Sequence, residues 1–154
     1  MLRIPYLFQV QPGLNSCVKI HSEYNPFQFD YNKDLYFYGS KCRRELKTTY
    51  NLRGRVQDHH IIPKSLRFHP LIVETKFPIH CSKNIKMMPS IHYKDICDDI
   101  LVHSHHYKYN IYIKQKLDEN YHKYKHVEEQ KLSLIQMIYE LDKKLNYKNT
   151  VPWI

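Results

Sequence analysis

Residues 56–63 read Val-Gln-Asp-His-His-Ile-Ile-Pro, and this segment constrains the fold more than any other. Val56, Ile61 and Ile62 suit a short strand over 56–62, and Pro63 closes it. Side chains alternate along a strand, so His59 and His60 must point to opposite sides of it. Two neighbouring imidazoles held that way are suited to two tasks rather than one. One can face a metal while the other faces a water or a substrate phosphate. A neutral imidazole does either, because it ligates borderline metals and accepts a proton near neutral pH. The surroundings share this bias: eight of the 11 histidines fall between His59 and His106.

The 154 residues suit one domain, 1–154, with 42% hydrophobic content for its core. Within it, 1–54 is expected to be an N-terminal segment, 55–117 the central core and 118–154 a helical extension. The net charge of +9 favours a polyanionic partner. That charge is unevenly placed. In residues 127–154, Lys131, Lys143, Lys144 and Lys148 balance Glu128, Glu129, Glu140 and Asp142, so the excess lies in residues 1–126. Cys17, Cys42, Cys81 and Cys97 form no CxxC pair and no zinc-ribbon spacing. They read as reduced thiols, which with no evident signal peptide predicts an intracellular protein. No run approaches the roughly 20 apolar residues of a membrane span, so no membrane partner is expected.

Along the chain, residues 1–38 read as irregular with short strands, Leu35-Tyr36-Phe37-Tyr38 being one of them. A short basic helix is predicted over 41–51. Residues 64–82, with Pro70 and Pro78, read as a loop. Asn84-Ile85-Lys86-Met87-Met88 suits a second strand, after which Pro89 can open a helix marked by Ile91, Ile96 and Ile100. Another helix is predicted over about 107–125, with Ile113, Leu117, Tyr121 and Tyr124 on one side. In the last helix Leu134, Ile138, Leu141 and Leu145 form an apolar stripe. Core packing, a partner or a second copy of the chain can each use that stripe.

The run His59-His60-Ile61-Ile62-Pro63 resembles the start of the HNH, or His-Me finger, nuclease pattern. It is closer still to the AHH branch of that superfamily, often found as toxin domains. There the double histidine leads to a His-Pro pair, then an Asn-containing strand ending in Leu-Pro, then a histidine-rich stretch before a Tyr-Asn helix. The matching residues are His69-Pro70-Leu71-Ile72, Phe77-Pro78-Ile79, Asn84 through Pro89, and His103, His105 and His106 ahead of Tyr109-Asn110 and Ile113. The likeness covers about residues 55–117. It departs in two places: Asp58 stands where a small residue is usual, and the stretch from Pro89 to His103 is longer.

The resemblance implies an α+β fold with a ββα-metal core, an irregular N-terminal segment and C-terminal helices. Carried over by position, His59 is a metal ligand, His60 the general base, and Asn84 holds the base imidazole or braces the hairpin. The second ligand is expected among His106, His103 and His92, in that order. His106 has the family spacing before Tyr-Asn, and His92 the generic HNH spacing. Asp58 is either a partner orienting His59 or a surface charge. His105 is expected to face solvent, and His69 and His80 to sit in the loop, where His69 could contact a phosphate. His21, His122 and His126 read as surface residues. Lys64, Lys83, Lys86, Arg53, Arg55 and Arg67 could together hold a nucleic-acid backbone.

The implied function is metal-dependent endonucleolytic hydrolysis of phosphodiester bonds, in DNA more than RNA. The cofactor is one divalent ion: magnesium, manganese, zinc or nickel. The rival expectation is a nucleic-acid-binding module that keeps the histidines for a structural zinc and does not cut.

Overall fold

The structure is a computed structural model that describes residues 26–28, 34–92 and 98–153. It has an α+β fold with a two-stranded antiparallel sheet and four helices among those residues. The helices are α1 (Lys41–Thr49), α2 (Pro70–Thr75), α3 (Tyr107–Lys123) and α4 (Val127–Lys144), and the strands are β1 (Val56–His60) and β2 (Ile85–Pro89). Short 3-10 turns occupy Pro26–Gln28, Lys64–Leu66 and Ser82–Asn84. No described helix is long and apolar enough to cross a membrane. Cys42 and Cys81 are free thiols. Cys17, Cys97 and the short strands expected before residue 26 lie outside the described residues.

In the hairpin, Val56 pairs with Pro89, Asp58 with Met87 and His60 with Ile85. Its two strands are joined by 24 residues rather than a tight turn, and its closed end is held by the Ile61 N–H on the Asn84 carbonyl (2.8 Å) together with side-chain bonds. Asn84 is fully buried there. Its Oδ1 accepts from the Ile62 N–H at 2.8 Å, and its Nδ2 donates to the carbonyls of Ile62 (3.0 Å) and Ile79 (2.8 Å). Tyr109, also fully buried, donates its hydroxyl proton to the Ile61 carbonyl at 2.6 Å and ties α3 to the same turn. The core runs outward from Ile61 and Ile62 through Leu71, Ile113 and Leu117 to Leu134, Ile138 and Leu141. The apolar stripe of α4 is thus used in the chain's own core.

Three expectations fail for local reasons. Leu35–Tyr38 is a turn and not a strand, closed by the Ser40 N–H on the Phe37 carbonyl (3.0 Å), with Gly39 at φ 80°. The supposed loop 64–82 contains α2. There Pro70 stands at the first helical position, where it loses no needed bond, and His69 caps the helix by accepting from the Leu71 N–H at 3.2 Å. Pro89 does not open a helix. It ends β2, where a two-stranded sheet tolerates a residue without an N–H, and residues 91–92 and 98–99 are turns. Residues 93–97 lie outside the description, as does any helical character there.

Candidate metal centre

Strand alternation separates the two histidines as expected. His59 faces α3 and is 2% exposed. Its ring centroid lies 4.9 Å from that of His106, 5.5 Å from His103, 5.2 Å from Tyr109 and 5.1 Å from Trp153. His59, His103 and His106 each offer one nitrogen, and these atoms lie within 4.8 Å of one another, close enough to hold a metal ion. The Nε2 of His59 is buried without a hydrogen-bond partner. An orphaned buried polar atom costs about 1–3 kcal/mol, so this one calls for a ligand. Burial above all, then His106, His103, His60 and Lys86, holds the His59 imidazole down at about 2. It is neutral, as a ligand must be. Burial and the neighbouring His106 also lower His103.

Each ligand is placed by a backbone element. His59 is carried by β1. His103 is brought alongside the end of β2 by its N–H on the Pro89 carbonyl (2.7 Å), extending the pairing as a parallel bridge with Ser90. His106 caps the start of α3, and its Nδ1 lies 3.0 Å from the Oδ1 of Asn110, one helical turn on. With the amide oxygen accepting, Nδ1 is the donor, and Nε2 is the nitrogen left to a metal. This is the usual way an outer partner fixes the tautomer of a ligating histidine. Trp153 closes the group from the C-terminal side, held by its Nε1–H on the Ser104 Oγ at 3.0 Å.

On the other side of β1, His60 meets His80. Nε2 of His60 lies 3.1 Å from Nδ1 of His80, and Tyr38 packs against both rings at 4.6 and 5.8 Å. Burial, His80 and Lys64 hold His60 down at about 4, against the opposite pull of Asp58. Burial, Lys64 and Arg67 lower His80 in turn. Despite the alternation, His59 and His60 line one cleft of about 280 Å³, with His103, His106, Asn110, Asp58, Lys64 and Ser65 on its walls.

Of the expected ligands, the structure brings His106 and His103 to His59 and leaves His92 out: that residue is exposed in the turn after Ser90. Asn84 makes no bond to His60 and braces the hairpin instead. Asp58 neither orients His59 nor stands as a surface charge. Its carboxylate pairs with Arg43 Nε and Lys47 Nζ, both at 2.9 Å, and fastens α1 to β1. Lys86 is similarly committed, to the Asp142 carboxylate at 2.9 Å and its carbonyl at 2.8 Å. His69 is engaged at both nitrogens, by the α2 cap and by Asp118 at 2.9 Å. His105 is exposed as expected.

His80, expected only in a loop, Tyr38, expected in a strand, and Trp153 are the further residues at the site. No local pattern marks them, because each reaches the site across a long stretch of chain. Compared with family models, with curated proteins and with solved structures, the chain matches none.

Proposed function

We propose that this chain is a metal-dependent nuclease with a ββα-metal core formed by β1, β2 and α3. The observation that carries the reading is the grouping of His59, His103 and His106, with ring nitrogens within 4.8 Å of one another and the Nε2 of His59 buried and unpartnered, in the cleft that His60 also lines. His59, His103 and His106 would hold one divalent ion. An all-imidazole set suits zinc or nickel better than magnesium. The bound ion would supply positive charge against the phosphoryl oxygens and the leaving group. Neutral ligands leave that charge uncompensated, which favours an anionic substrate.

His60 takes the part of general base. In the tautomer whose Nε2–H donates to His80 Nδ1, the lone pair sits on Nδ1 of His60, ready to take a proton from water. A group held near 4 is unprotonated throughout the neutral range. Lys64 on the cleft wall would meet a phosphate. Asn84 and Tyr109 act by holding the Ile61-Ile62 turn, and so the end of β1. The structural-zinc alternative needs a closed shell of four protein ligands. Among the described residues the group has three, and a fourth protein ligand on the bound metal would mark the structural alternative.

The test is plasmid cleavage by the purified protein with zinc, nickel, manganese or magnesium, with EDTA as control. Cleavage is expected with at least one metal and lost in EDTA. His60→Ala should lose about 100-fold or more in rate while still binding zinc in a calorimeter. His59→Ala and His106→Ala should lose both zinc and cleavage, His103→Ala part of each, and His105→Ala neither. A His60→Ala protein cutting at the wild-type rate refutes the base. Failure to cut any nucleic acid with any metal refutes the nuclease.

A further inference from the structure

Leu35, Tyr36, Phe37 and Tyr38 form an unbroken run of large apolar side chains, each between 41% and 57% exposed. Isolated exposed apolar residues are ordinary, but four in succession are not. The turn that carries them is firmly built. The buried carboxylate of Asp34 accepts from the N–H groups of Tyr36 (3.2 Å) and Ser82 (2.8 Å). Arg43 donates to the Tyr36 carbonyl at 3.2 Å, and the Tyr38 N–H donates to the His80 carbonyl at 3.0 Å. The backbone is thus anchored to α1 and to the Ser82 turn, while the rings face solvent.

The turn ends at the candidate site, for Tyr38 is the residue packed on His60 and His80. The surroundings are basic. The charges of Lys64 and Arg67 reach His80, and the Arg67 guanidinium lies 4.5 Å from the ring centre of Phe68, itself 75% exposed. Arg44 stands on the adjoining turn of α1, its guanidinium donating to the Gly39 carbonyl at 2.6 Å. The nearby acids are engaged: Glu45 with Lys41 at 3.6 Å, Asp58 with Arg43 and Lys47, and Asp34 with the backbone.

We infer that Tyr36, Phe37 and Tyr38 are a stacking platform for unpaired bases, and that the site takes single-stranded nucleic acid in preference to duplex. The inference rests on the nuclease reading for its chemistry, but its binding surface stands on separate residues. Exposed rings beside cations fit a strand whose phosphates need positive charge and whose bases need an apolar face. A duplex hides those faces in its own stack. A purely apolar partner would leave the surrounding cations unmatched.

The experiment measures fluorescence anisotropy of labelled oligothymidine, an abasic oligomer of equal length and a duplex, with the whole chain in EDTA. Wild type is expected to bind oligothymidine about tenfold or more tighter than the abasic strand, the gain expected from stacking a base on an aromatic ring. The double variant Tyr36→Ala/Phe37→Ala should lower the ratio of single-strand to duplex affinity about tenfold. The exchange Tyr36→Phe/Phe37→Tyr should preserve it. Equal binding of oligothymidine and the abasic strand overturns the platform, and that comparison needs no variant to fold. A wild-type dimer that the double variant dissociates, with oligonucleotide affinity unchanged, assigns the patch to a second copy and also overturns it. Because binding is read without metal, the two readings can fail separately. A base preference without cleavage in any metal refutes the nuclease alone, and cleavage without a base preference refutes the platform alone.

Discussion

His59 shows how one residue can couple the site to the stability of the chain. Its imidazole is held down at about 2 in the folded protein, against 6.5 when unfolded. A histidine with a depressed folded value destabilises the fold in acid, because the unfolded chain takes up a proton that the folded one refuses. Stability is complete above about pH 6.5 and falls as pH drops from there toward the folded value. Once pH is well below 6.5 the loss from such a group is about 1.4 kcal/mol per pH unit. Urea midpoints in EDTA between pH 8 and 5 should therefore fall with acidification, and His59→Leu should flatten the profile. It should not abolish the slope, since His60 and His103 are shifted in the same direction. Parallel profiles for the two proteins would show that His59 is not held neutral. Zinc should raise the wild-type midpoint through binding to the folded state, and should do so less for the variant.

At the scale of elements, the hairpin is the part most dependent on side-chain bonds. Two strands of five residues with a long connection do not hold register alone. Asn84 supplies the missing closure. Asn84→Ala removes the partner of the buried Ile62 N–H and the donor to the Ile62 and Ile79 carbonyls, at a cost on the order of 3 kcal/mol. A melting-temperature drop on the order of 10 °C follows for a chain of this size. If Asn84→Ala melted like wild type yet lost cleavage, the bracing role would be wrong and a direct part in chemistry right. The brace was half legible in the sequence. The strand and its asparagine follow from local pattern, as do β1, α1, α3 and α4. Whether Asn84 meets His60 or the Ile62 backbone depends on the path of the 24 intervening residues, which no periodicity records. The same holds for His80, which meets His60 across 20 residues, and for Trp153, which meets Ser104 across 49. Of the candidate ligands, His106 follows from its spacing to Tyr109-Asn110; His103 is expected one turn earlier on the same helical face, but α3 begins at Tyr107 and His103 arrives instead through its pairing with the end of β2. His92, the last-ranked candidate, has the generic HNH spacing but stands exposed just after Ser90, whereas His103 reaches the end of β2 through its bond to Pro89. Leu35–Tyr38 departs from expectation for a related reason: it has the composition of a strand but, among the described residues, no strand beside it to pair with.

For the molecule as a whole, the charge asymmetry and the proposed site lie in the same part of the chain. Residues 127–154 carry no net charge, so the +9 belongs to residues 1–126, which hold the candidate metal ligands and His60. Part of that excess is already committed: Arg43 and Lys47 to Asp58, Lys86 to Asp142 and Lys114 to Asp118. Lys64, Arg67 and Arg53 are exposed and are candidates for phosphate contacts. No described element resembles a base-reading helix in a major groove, so affinity for nucleic acid should be mainly electrostatic, with little dependence on sequence. Each phosphate contact releases condensed counterions, so log affinity should fall linearly with log salt. With about six contacts on duplex DNA, raising salt from about 50 to about 200 mM should weaken binding about a thousandfold. On single strands the electrostatic slope is shallower per phosphate, and stacking on Tyr36 and Phe37 adds a part that salt does not screen. The preference for single strands should therefore widen as salt rises. Affinities measured in EDTA on unrelated duplexes and on oligothymidine across a salt series would check both slopes. A flat response on duplex would remove the electrostatic account. A preference for single strands that shrinks with salt would mean that phosphates, not bases, carry it.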